Sequence, residues 1–137
     1  MLRDELFDGF FDFELAIARW LDWLGEMDNN APFGQRLRKL ADHPQLRSKA
    51  GPKQTKQIKA LPVECSEPLK IRNLVAHSRI CSGQRDGSDC IFFETVSLAL
   101  CGQGAVIPIE QAAVKNAADE FRSLAKKLEG WLKQVQK

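Results

Sequence analysis

The chain has 137 residues, 44% hydrophobic and 28% charged, with a formal net charge of +2. That length holds one domain with a real core rather than two, and the balance excludes a disordered chain, so a single domain over residues 1–137 is expected. No apolar run approaches the ~20 residues that cross a bilayer, and Met1-Leu2-Arg3-Asp4-Glu5 carries acid where an export signal needs base; a cytoplasmic protein without membrane association is therefore expected.

From Leu2 to Met27 there is no proline, and Leu6, Phe10, Phe13, Ile17, Trp20, Leu21 and Leu24 recur at spacings of three and four, which predicts a long amphipathic helix. Phe7, Phe11 and Trp23 widen the apolar stripe beyond what one small bundle covers, so a homodimer formed through this helix or the motif-bearing helix described below is expected. Asp28-Asn29-Asn30-Ala31-Pro32 breaks the helix. Phe33 to Leu40 then reads as a short basic helix, with Phe33, Leu37 and Leu40 facing inward and His43-Pro44 ending it. His43 to Lys53 contains two prolines and a glycine and reads as an exposed loop, and Lys53 to Leu61 regains helical character. Ser66-Glu67-Pro68 suits a helix start, which predicts a helix from about Glu67 to Arg79.

Ser82 to Asp89 is loop by composition. Ile91 to Leu98 and Val106 to Ile109, separated by Cys101-Gly102-Gln103-Gly104, spell a short β-hairpin whose second strand Pro108 confines to an edge. From Glu110 to the C-terminus, Ala113, Ala117, Phe121, Leu124, Leu128, Trp131 and Leu132 recur at helical spacing and predict a second long helix.

The charge is unevenly distributed. Residues 1–30 hold eight acids against Arg3 and Arg19, a net of −6, whereas residues 34–85 hold twelve bases against Asp42, Glu64 and Glu67, a net of +9. A basic middle of this kind suits either an anion-binding surface or a face paired with the acidic first helix. The four cysteines, Cys65, Cys81, Cys90 and Cys101, are expected as free thiols in a reducing compartment. They contain no Cys-x-x-Cys pair, and His43 and His77 are the only histidines, so neither a metal nor a cofactor is expected. Cys101 lacks any signal of a lowered thiol pKa or an oxyanion hole, and Gly102-Gln103-Gly104 lacks the Lys-Ser/Thr of a phosphate loop.

The chemistry-bearing segment is Arg72-Asn73-Leu74-Val75-Ala76-His77. On one helix Asn73 and His77 share a face, close enough for a hydrogen bond that orients the imidazole, whereas Arg72 and His77 stand about 140° apart. Both can address one phosphate only if the helix unwinds near His77 or a second protomer contributes.

This segment resembles the Arg-x4-His signature of the HEPN superfamily, including the polar residue after the arginine. The resemblance implies a mainly α fold: a HEPN-like helical bundle, here with a short β-hairpin inserted before the C-terminal helix. It also implies a metal-independent endoribonuclease, of the kind found among toxins and defence components, with Arg72, Asn73 and His77 as catalytic residues. Many HEPN proteins have an antitoxin or nucleotidyltransferase partner, and the resemblance allows for one here. The residue types suit RNA cleavage by 2′-hydroxyl attack, because His77 supplies a base of near-neutral pKa and Arg72 a fixed cation. Arg36, Arg38, Lys39, Lys53, Lys56 and Lys59 are the candidate contacts to the RNA backbone. The competing expectation is a non-catalytic dimeric helical adaptor that binds RNA or a partner protein.

Overall fold

Two long amphipathic helices form the spine of the molecule, and the shorter helices pack along it. The computed structural model describes residues 2–26, 31–76, 78–85, 88–95 and 106–136. It is mainly helical: α1 (Leu2–Trp23), α2 (Phe33–Ala41), α3 (Leu46–Lys59), α4 (Leu61–Glu64), α5 (Ser66–Ala76) and α6 (Gln111–Val135).

The seven residues of the α1 stripe, Leu6 through Leu24, are all buried, as are Ala117, Phe121, Leu124, Leu128 and Leu132 of α6. Each large side chain removed from water contributes roughly 1.5–3 kcal/mol, so the α1–α6 pair is the main source of apolar stabilisation. Phe10, Phe13, Phe33 and Phe121 make a cluster of tilted, edge-on and stacked rings with centroids 4.8–5.9 Å apart. The indole N–H of Trp20 donates to the Leu128 carbonyl at 2.8 Å and fixes the two helices along their axes. At Gly9 the backbones approach so closely that a Cβ would lie 2.8 Å from the Ala118 carbonyl oxygen.

Helix α1 stops earlier than its apolar pattern. Gly25 N–H donates to Asp22 O and Glu26 N–H to Leu21 O, a paired closure that satisfies the last carbonyls before the Asp28–Pro32 break is reached. Phe7 and Trp23 are partly buried against the same core, Trp23 lying edge-on to Trp20 with Lys49 Nζ over its ring. Two of the three residues of this second apolar edge are thus engaged within the protomer. Phe11, 60% exposed, and Leu15, 38% exposed, remain on the outer face.

Only residues 43–45 of the expected 43–53 loop lie outside a helix: α3 starts at Leu46. Leu46 and Ala50, one helical turn apart, are both buried, and their packing outweighs the breaker composition. The breakers act locally instead, since Gly51 adopts φ 86° and ψ 166° and divides α3 into two helical pieces, with Pro52 opening the second. The φ value lies in the left-handed region, which glycine reaches at little steric cost.

Helix α5 ends at Ala76, short of the expected Arg79. The backbone then extends as β1 (Ser78–Arg85), β2 (Ser88–Thr95) and β3 (Val106–Glu110), in the antiparallel order β1-β2-β3 with Ser78 opposite Thr95 and Ile91 opposite Ile109. Of the expected loop Ser82 to Asp89, Ser82 to Arg85 lie in β1 and Ser88 and Asp89 in β2, because antiparallel pairing uses backbone groups that every residue but proline carries. The segment 96–105, which includes Cys101, lies outside the described residues. No described helix is long and apolar enough to cross a membrane.

Candidate functional site

Helix α5 packs against α1 and α6 with Val75 buried, and this orientation turns Arg72 towards the aromatic cluster. The guanidinium carbon lies 4.4 Å from the centroid of the Phe10 ring. Nη1 donates to Asn73 Oδ1 at 3.0 Å, and Nε is buried with no hydrogen-bond acceptor among the described residues. Among the described residues no carboxylate pairs with Arg72. A stacked guanidinium with one edge held by a neighbour is restrained in orientation while keeping its charge, the property a phosphate-binding arginine needs.

His77 lies outside the described residues. The described helix ends at Ala76, and on it Asn73 Oδ1 accepts a hydrogen bond from Arg72 Nη1.

The other histidine is engaged structurally. His43 Nδ1 accepts the Gln45 backbone N–H at 3.1 Å, which leaves the proton on Nε2, and Nε2 donates to Glu26 Oε1 at 3.1 Å. Its side chain is almost wholly enclosed.

The six candidate RNA contacts divide into groups. Arg36 is ion-paired with Glu14 of α1, both partners partly buried, and Lys39 Nζ lies 3.6 Å from Glu26 Oε2. Acid from the N-terminal segment therefore already meets these two cations. Arg38, Lys53, Lys56 and Lys59 are exposed and form no ion pair with the described residues. Lys56 and Lys59, but not Lys53, line a groove of about 560 Å³ together with Arg47, Asp42, Thr55 and Pro52. By sequence Arg47 counts only among the bases of the middle segment, because its position falls in the expected 43–53 loop. The signal that finds it is the Gly51-Pro52 pair read as a kink rather than as part of a loop.

Cys65 is a free thiol with no exposed surface, and burial pushes its pKa up to about 11, which makes it a poor nucleophile. Among the described residues no group of three or more His, Cys, Asp or Glu side chains is placed to hold a metal ion. Comparison with protein-family models, curated proteins and solved structures finds no match to this chain.

Proposed function

We propose that the protein is a HEPN-like metal-independent endoribonuclease, a helical bundle with its sheet inserted before the C-terminal helix, acting as a homodimer. The observation that supports this most is the state of Arg72: stacked on Phe10, held by Asn73, and, among the described residues, without a carboxylate partner and with a buried Nε donor lacking an acceptor. A buried unmet donor costs about 1–3 kcal/mol, and an anionic ligand beside it removes that penalty. His77 follows the last residue of α5 directly, five positions along the chain from this cation.

In the proposed reaction His77 takes the proton of the ribose 2′-hydroxyl as its oxygen attacks the adjacent phosphorus. The bond from phosphorus to the 5′ oxygen breaks, and the imidazolium returns its proton to the departing oxygen, leaving a 2′,3′-cyclic phosphate. Arg72 stabilises the extra charge on the phosphoryl oxygens, and Asn73 keeps the guanidinium in place. Exposed basic side chains outside the motif supply the salt-dependent hold on the RNA.

The test is incubation of the purified protein with total RNA in EDTA beside His77→Ala and Arg72→Ala. Cleavage by the wild type and loss of most of it in both variants, with helical circular dichroism retained, supports the proposal. Absence of wild-type cleavage overturns it in favour of a dimeric adaptor. The exposed pair Phe11 and Leu15, one helical turn apart among Asp4, Asp8, Asp12 and Asp22, is the observation that favours that second reading.

A further inference from the structure

We propose that the groove at the Gly51 kink of α3 binds the phosphodiester backbone of single-stranded RNA, through Arg47 on one side of the kink and Lys56 and Lys59 on the other. The assembly is a product of the kink. On an unbroken helix Arg47 would stand about 180° from Lys56 and 120° from Lys59, facing away from both. The break at Gly51, φ 86°, brings all three to one groove of about 560 Å³, a size that accommodates a nucleotide unit.

Arg38 and Lys53 are also exposed and unpaired among the described residues, so it is the groove, not pairing alone, that groups these three cations. Arg36, Lys39 and His43 are each met by Glu14 or Glu26, while Arg47, Lys56 and Lys59 form no ion pair with the described residues despite the abundant acid of α1. Asp42 shares the groove without pairing with any of them. That carboxylate selects among polyanions. The side chains of an acidic peptide offer only acceptors, which Asp42 repels, whereas RNA offers phosphates to the cations and 2′-hydroxyl or base amino donors to Asp42. The fork of Arg47 matches two phosphate oxygens, and the lysines act as point charges on neighbouring phosphates.

The choice of RNA over another nucleic acid strand rests on the ribonuclease proposal, so binding is measured apart from cleavage. A fluorescent oligouridylate is titrated by anisotropy in EDTA with the His77→Ala protein, over a range of salt. Arg47→Gln, Lys56→Gln and Lys59→Gln, each in that background, should weaken binding several-fold and lower the slope of log affinity against log salt by up to ~0.7. Gly51→Ala, which meets no atom within 4 Å but is strained at this φ, should weaken binding in the same direction with its α-helical circular dichroism retained. Lys127→Gln, on an exposed position of α6, should leave binding unchanged. No binding of the oligouridylate, unchanged binding by the triple Gln variant, or equally tight binding of polyglutamate at the same salt overturns the proposal. Binding that depends on the three cations in a protein whose wild type cleaves nothing leaves the groove standing and removes only the ribonuclease.

Discussion

His43 and His77 are the same residue type in different circumstances, and substitution separates them. His43 spends both ring nitrogens on the fold, one accepting from the Gln45 backbone and one donating to Glu26. His43→Ala leaves a backbone donor and a carboxylate less well met, so it should lower unfolding stability by about 1–2 kcal/mol in urea titration and leave any RNA cleavage intact. His77→Ala should do the reverse. Cys65 yields a pH prediction with a definite sign. Its folded-state pKa is raised by burial, from 9.0 to about 11, so the folded protein keeps the thiol proton where the unfolded chain loses it. The associated stability is complete below about pH 9 and is lost as pH rises towards 11. Wild-type protein should therefore lose more thermal stability than Cys65→Ala across that window. At pH 8 Cys65 should react with a thiol reagent only after denaturant is added, which mass spectrometry of the labelled peptide can follow.

Among the elements, the α1–α6 contact is the least tolerant of added volume. A methyl group at Gly9 would press on the Ala118 carbonyl, a backbone atom of a packed helix that cannot swing aside. Gly9→Ala should destabilise the protein by about 1–3 kcal/mol even though alanine is the better helix former, and the measured sign decides between packing and propensity. At Gly51 nothing crowds the substituent, so a cost there comes from backbone conformation alone. The pairing of Arg36 with Glu14 joins α2 to α1 across a partly buried site. Arg36→Ala should cost about 2–3 kcal/mol in chemical denaturation, more than Arg38→Ala at the exposed neighbouring position, because it strands a carboxylate removed from water.

For the whole molecule the open quantity is assembly. Phe11 and Leu15 project from the outer face of α1, while Phe7 and Trp23 are already engaged by the protomer's own core. The exposed apolar area is smaller than the width of the sequence stripe suggests, so a dimer through α1 would be one of modest affinity. Sedimentation at micromolar concentration should show a species of twice the 15.4 kDa chain mass, and Phe11→Glu, adding charge to an acidic face, should shift it to the single-chain mass. A single-chain species for the wild type across the range would remove the dimer from the proposed mechanism.

The helices of this protein were legible in its sequence because a 3.6-residue period is written locally: the buried faces of α1 and α6 follow the spacing of Leu6 to Leu24 and Ala117 to Leu132. The motif Arg72 to His77 was legible through its resemblance to a family signature, and of it the structure describes Arg72 to Ala76, on α5. What the tertiary structure alone decided is which charges meet and which segments bend. Glu14 and Glu26 select Arg36, Lys39 and His43 from a basic segment whose members look alike in sequence, because pairing depends on distances across helices. Phe10, apparent only as a core residue, becomes the platform for Arg72 once α5 crosses α1. Arg47 joins Lys56 and Lys59 only because burial of Leu46 and Ala50 keeps the first piece of α3 helical while Gly51 absorbs the break, a competition between packing and backbone freedom that local composition does not resolve.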